Sequence, residues 1–91
     1  HNVGIGHNTL YTNSGGDYNT AIGSNSMYYN TGNNNTSLGY HAMNNNSTGN
    51  HNTAVGFNSL DDITGGSNQN AAIGYNSLTY LTSGSMNTAI G

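Results

Sequence analysis

The sequence contains no lysine, no arginine, no proline and no cysteine, and its only acids are Asp17, Asp61 and Asp62. Without Lys or Arg nothing can neutralise phosphates, which excludes nucleic acid as a partner and an anionic membrane surface with it. The absence of Cys rules out disulfides and thiolate metal sites and leaves the redox compartment unread. No apolar run approaches the roughly 18 residues of a spanning helix, so membrane insertion is not expected. Disordered chains usually combine low hydrophobicity with high net charge and abundant Pro, whereas here the net charge is only −3 and Pro is missing. Apolar residues are also scarce, at 32% of the 91 residues, against about 45–50% in globular chains. A conventional single-chain core would be poor. A Gly- and Asn-rich, nearly uncharged chain can instead gain order by pairing backbone to backbone in register.

What is present is a repeat. Aligning on the large apolar residue that precedes a Gly gives anchors at Ile5, Ile22, Leu38, Val55, Ile73 and Ile90, spaced by 17, 16, 17, 18 and 17 residues. Three positions before each anchor stands an Asn without exception: Asn2, Asn19, Asn35, Asn52, Asn70 and Asn87. Five positions after each of the first five anchors comes a second large apolar residue, Leu10, Met27, Met43, Leu60 and Leu78. Between them run Asn8-Thr9, Asn25-Ser26, Asn58-Ser59 and Asn76-Ser77, with His41-Ala42 as the one departure. Length varies only in the segment that carries Gly15-Gly16, Gly32, Gly49, Gly65-Gly66 and Gly84, which marks it as a corner loop on one side of a stack.

Helical spacing is absent, and the Gly, Asn, Ser and Thr content would cost several tenths to about 1 kcal/mol per residue in a helix. The segments Thr20-Ala21-Ile22, Thr53-Ala54-Val55 and Thr88-Ala89-Ile90 read as short strands, with Thr and Ile on one face and Ala and the anchor Gly on the other. The chain is therefore read as all-β: one tandem-repeat segment over residues 1–91, a parallel β-solenoid (β-roll or β-helix) with rungs of about 17 residues. The expected interior is the anchor column with the Leu/Met column, and the Asn column is expected to form a ladder of side-chain amides from rung to rung. Two large apolar side chains per rung are few beside an ordering cost of about 1–2 kcal/mol per residue. Lateral association through the Ala/Gly face, as a homotrimer, is the expected remedy. The chain opens in mid-motif at His1-Asn2-Val3-Gly4 without a signal peptide, and is expected to be a window on a longer fibre.

The pattern Asn-Thr-Ala-Ile-Gly-x-Asn-Ser-Leu followed by a Gly/Asn corner resembles the head-type repeats of YadA-like trimeric adhesins. It resembles still more the related repeats of phage tail-fibre and bacterial fibre proteins, many of which carry an endosialidase-type chaperone domain. Asn19 to Gly23, Asn52 to Gly56 and Asn87 to Gly91 match best, whereas Asn70-Ala71-Ala72-Ile73-Gly74 lacks the Thr and Asn2-Val3-Gly4-Ile5-Gly6 is weakest. The resemblance implies a trimeric parallel β-roll in the stalk or head of an extracellular adhesive fibre. The adhesin repeat is shorter by a corner loop, so the resemblance leaves open whether rungs are wound within one chain or shared among three.

Chemistry is sparse. His7 and His41 fall in different columns, and His1 and His51 share a column but not neighbouring rungs, so no metal site is expected. Gly15-Gly16-Asp17 resembles calcium-binding nonapeptide repeats, in which Asp recurs in every turn, but here it occurs once. Asp61-Asp62 has no third acid or nucleophile beside it, and Ser, His and Asp have no elbow motif to organise them. No catalytic residue and no cofactor is assigned, and the protein is read as a non-enzyme. Tyr40, Phe57 and Tyr75 follow the anchor Gly in successive repeats, either as a stack that stabilises the sheet or as a strip for sugar stacking, with Tyr11, Tyr28, Tyr29 and Tyr80 as further candidates. Asn34, Asn35, Asn45 and Asn46 each begin an N-x-Ser/Thr triplet and are candidate glycosylation sites.

The functional expectation is a structural and adhesive segment of an extracellular fibre, on a bacterial surface or a phage tail, whose partners are further copies of itself and a glycan or cell-surface receptor. The alternative is a filament subunit that stacks end to end without limit. Ice binding by Thr20, Thr36, Thr53 and Thr88 is weaker, because Val3 and Ala71 interrupt the column and an inward-facing Thr explains it without function.

Overall fold

The computed structural model describes residues 1–91. Every strand is short and every pairing is parallel. One sheet holds β1 (Val3–Ile5), β3 (Thr20–Ile22), β5 (Thr36–Leu38), β7 (Thr53–Val55), β9 (Ala71–Ile73) and β11 (Thr88–Ile90), in chain order. The second holds β2 (Thr12–Asn13), β4 (Tyr29–Asn30), β6 (Asn45–Asn46), β8 (Asp62–Ile63) and β10 (Tyr80–Leu81). Register joins like to like, as in Ala21 against Ser37 and Asn30 against Asn46. The chain is therefore a β-solenoid of about five turns, with rungs about 17 residues apart. Each rung is wound within the one chain.

Three left-handed positions per rung make the corners. Asn8, Asn25, His41, Asn58 and Asn76 have φ between 51° and 56°, and the Leu/Met column follows two residues later with φ between 48° and 51°. Tyr18, Asn34, His51, Gln69 and Met86 form the third set, with φ between 58° and 61°. A non-glycine residue seldom adopts this conformation. Its recurrence at equivalent positions shows that the corner is set by the stack and not by the individual side chain.

The anchor column lies on the outside, contrary to the sequence-based expectation. Ile5, Leu38, Ile73 and Ile90 are exposed and Ile22 and Val55 are half-buried, while the middle residues of the strands, Ala21, Ser37, Ala54 and Ala72, are buried. Strand parity explains the reversal. Residues two apart share a face, so Asn19, Ala21 and Gly23 go together and Thr20 and Ile22 go opposite. The Asn column must be interior because its amide satisfies backbone groups that no water reaches, and this choice carries Ala in and Ile out. The Ala/Gly face is therefore unavailable for lateral association.

The interior contains more buried polar than buried apolar side chains. Its apolar part is Met27, Met43, Leu60 and Ile63 with Ala21, Ala42, Ala54 and Ala72, and Leu10, Leu78 and Leu81 pack against them. Around this thin core run three ladders. In the first, the Oδ1 of Asn2, Asn19, Asn35, Asn52 and Asn70 accepts from the backbone N–H of the next Asn in the column, at 2.8–3.0 Å. The Nδ2 of the same residues donates to the corner carbonyls of Gly16, Gly32, Gly49, Ser67 and Gly84. Most links in this ladder thus run from side chain to backbone. Amide-to-amide bonds in this column join only Asn70 to Asn52 and Asn87 to Asn70.

The second ladder is in the other sheet and has true amide-to-amide links, with Asn30 Nδ2 donating to Asn13 Oδ1 (3.0 Å) and Asn46 Nδ2 to Asn30 Oδ1 (2.8 Å). In the last rungs Ile63 and Leu81 take over this position. The third runs in the opposite sense to the first. Backbone N–H groups of Asp17, Asn33 and Asn50 donate forward to the Oδ1 of Asn33, Asn50 and Asn68, and Asn68 N–H donates to Ser85 Oγ.

Candidate functional site

Three surfaces have the composition for recognition: the outer face of the six-stranded sheet, the aromatic ridge beside it, and the corner between the sheets. The sheet face presents two parallel columns. Thr20, Thr36, Thr53 and Thr88 form one, continued by Val3 and Ala71, and the anchor residues form the other. It bears no charge. In soluble chains a contiguous apolar strip of this kind is normally covered by something.

On the ridge, Tyr40, Phe57 and Tyr75 stack at centroid distances of 5.2 and 5.3 Å with interplanar angles of 17° and 14°. His41 covers Tyr40 as well, at 4.4 Å. These spacings are close to the separation of neighbouring strands, about 4.8 Å, so the ring faces point along the solenoid axis and cover each other. Both faces of Phe57 are occupied, so that ring meets solvent only at its edge, whereas Tyr75 ends the stack with one face unpartnered and is 70% exposed. The ridge stacks from rung to rung, at up to about 1 kcal/mol per pair, so a sugar cannot enter between its rings, and the open ring face is that of Tyr75. Tyr11 and Tyr28 stack in the same way at 4.9 Å, whereas Tyr80 is exposed and takes part in none of the aromatic pairs.

The corner between β3 and β4 contains an open groove of about 320 Å³ lined by Asn8, Asn25, Tyr28, Tyr29, His41 and Asn44. Asn25 Nδ2 lies 3.2 Å from His41 Nε2, and Asn44 Nδ2 donates to the Asn25 carbonyl at 3.0 Å. His41 Nδ1 faces Asp61 Oδ1 at 3.9 Å, beyond hydrogen-bond reach. Two buried oxygens here, Asn25 Oδ1 and Asp61 Oδ1, have no hydrogen-bond partner. Burial pushes the Asp61 carboxyl above its ordinary value; the nearby His41 opposes this and Asp62 adds to it.

An acid whose folded-state pKa is raised contributes stability that is complete below its unfolded value, near 3.8, and is lost as pH rises through the folded value. Asp61→Asn is therefore expected to raise the melting temperature at pH 7, with the difference from wild type closing below about pH 3.8. Thermal melts at pH 7 and pH 3 check this, and equal melting temperatures at pH 7 would refute it.

The remaining candidates disperse. Asn35 and Asn46 are fully buried with their amides in the ladders, so neither can accept a glycan. Asn45 is half-buried and donates to Asp62 Oδ1 at 3.0 Å, which leaves Asn34 as the one exposed acceptor among the four. His1 stacks on Tyr18, His7 and His51 lie on the surface, and no group of three His, Cys, Asp or Glu side chains converges. No helix is long and apolar enough to cross a membrane.

Asn13 and Asn30, the column of Asn33, Asn50 and Asn68, and Asn44 have no role in the sequence reading, in which Asn46 is only a glycosylation candidate and Asn8 and Asn25 are only repeat positions. Their signal was the fixed distance of each from its anchor, submerged in a chain with Asn nearly everywhere. No protein-family model, curated protein or solved structure matches this chain.

Proposed function

We infer that the protein is a non-catalytic structural and adhesive segment of an extracellular fibre, assembled as a homotrimer through the Thr/Ile face. The observation that carries this is the exposure of the anchor column within the sheet, where Leu38 is 46% and Ile73 44% exposed in interior rungs. The face is uncharged and runs the length of the solenoid, so it suits a second copy with the same columns in the same register. The likeness of the repeat to adhesin and tail-fibre repeats supports the extracellular setting.

Sedimentation equilibrium at micromolar concentration is expected to give three times the chain mass. Replacing Leu38 and Ile73, which are 46% and 44% exposed, by Thr removes apolar surface that association would bury, about 1 kcal/mol per side chain. That variant should sediment as a monomer with unchanged β circular dichroism. A monomeric wild-type protein would overturn the trimer, and indefinite filaments in electron micrographs would replace it with end-to-end assembly.

One observation favours a second reading. Thr20, Thr36, Thr53 and Thr88 point outward beside the anchor column and not inward, the arrangement that ice binding requires. Trimerisation would cover that face, so the two readings exclude each other. A monomer with measurable thermal hysteresis would select ice binding.

A further inference from the structure

We propose that the corner groove is a binding site for a neutral sugar. The proposal rests on the adhesive half of the reading above and is independent of how copies assemble, since the groove lies at the corner and not on the Thr/Ile face.

The site arises where the repeat breaks. Register places Tyr11, Tyr28 and Asn44 in one column on successive rungs, so the Tyr11–Tyr28 stack ends at Tyr28 and the shorter Asn44 leaves room beyond it. In the adjoining column His41 replaces the Asn of every other rung, and Ala42 replaces the neighbouring Ser or Thr. A purely structural rung would be served by the common residues, and departures from local regularity concentrate at functional positions. Here two departures and a terminated stack meet in one place.

The lining sets the ligand class. With no Lys or Arg anywhere in the chain, the groove has no fixed positive charge to pair with a sulfate, phosphate or carboxylate. Asn8, Asn25, His41 and Asn44 make it too polar for a hydrocarbon. The side-chain amides each offer donors and an acceptor, which matches hydroxyls that also do both. Tyr28 and Tyr29, set edge to face at 4.6 Å, supply apolar ring surface for the C–H side of a pyranose. Asn25 belongs to the same polar edge, its Nδ2 lying 3.2 Å from His41 Nε2. The volume is at the lower end for small-molecule sites and suits a single ring, for which a dissociation constant on the order of a few millimolar is reasonable.

The test is a titration of the ¹⁵N-labelled chain with glucose, galactose, mannose and N-acetylglucosamine, each up to roughly ten times that dissociation constant, with N-acetylneuraminic acid as the anionic comparison. At least one neutral sugar is expected to shift the side-chain amides of Asn8, Asn25 and Asn44 and to receive saturation transfer from Tyr28 or Tyr29. Asn44→Tyr extends a stack that already holds Tyr11 and Tyr28, so it should fold, fill the groove and abolish both signals. The proposal fails if none of the four neutral sugars shifts these amides, if Asn44→Tyr binds as wild type does, or if the anionic sugar binds as well as the neutral ones. Sedimentation of the same samples reports assembly separately, so loss of the trimer and loss of the sugar site are distinguishable.

Discussion

Gly56→Ala is expected to destabilise the fold by roughly 4–5 kcal/mol. Gly56 has φ +130°, and a Cβ built there would lie 2.8 Å from the carbonyl carbon of Gly74 and closer still to its oxygen. That oxygen cannot retreat, because Gly74 is itself tied by its N–H to the Val55 carbonyl at 2.8 Å. Backbone strain of about 1–3 kcal/mol and overpacking of similar size combine to roughly 4–5 kcal/mol, a large share of the stability of a domain of this size. Gly15→Ala isolates the conformational part: Gly15 has φ +87° but nothing within 4 Å of the added carbon, so a loss of only about 1–2 kcal/mol is expected. Urea denaturation at fixed protein concentration measures both. Equal losses for the two variants would mean that the anchor glycines are needed for φ alone and not for the close approach of rungs.

Asn52→Ala has the second largest expected effect. The Asn52 amide accepts from Asn70 N–H at 2.9 Å and from Asn70 Nδ2 at 3.1 Å, and donates to the Ser67 carbonyl at 3.0 Å. All of this is buried, so the truncated side chain leaves a backbone donor and a backbone acceptor unpaired where water does not reach. At about 1–3 kcal/mol for each orphaned group, the loss should be roughly 3–5 kcal/mol. Ser59→Ala is the comparison. It removes one bond to the Ala72 carbonyl at 2.9 Å, in a column where Ala42 already stands, so about 1 kcal/mol is expected. If Asn52→Ala costs no more than Ser59→Ala, the ladder is incidental to stability.

The repeat, its period and the parallel stack were legible because the anchors and the Asn column recur through six rungs with no gap in register. The choice of inner face was not. Hydrophobicity alone favours Ile inside over Ala, whereas the parity that Asn19 and Asn35 require favours the reverse. Hydrogen-bond satisfaction of corner carbonyls such as Gly32 and Gly49 decides that parity, and those partners are far off in the sequence. The Leu/Met column reads as an ordinary apolar position, and nothing in Met27 or Leu60 announces a left-handed backbone. Of the recognition surfaces, the aromatic column was visible, but the stacked geometry was needed to see that the faces of Tyr40 and Phe57 are covered. The groove was half visible: His41-Ala42 stood out as an irregularity, while Asn44 acquires meaning only beside Tyr28.

The ladders have a consequence for inheritance. Each kind of inter-rung bond joins the same two columns from rung to rung, so the upper surface of one rung is chemically the upper surface of the next. Removing or copying one whole rung leaves two matching surfaces, whereas inserting a single residue between an anchor and the following Leu or Met puts all three ladders out of step at once. Only the Gly-bearing corner absorbs odd residues, as the 16- and 18-residue steps from Asn19 to Asn35 and from Asn52 to Asn70 already do. Recombination between repeats in the gene should therefore change the length of this protein in whole turns, and single-codon insertions should survive only at that corner.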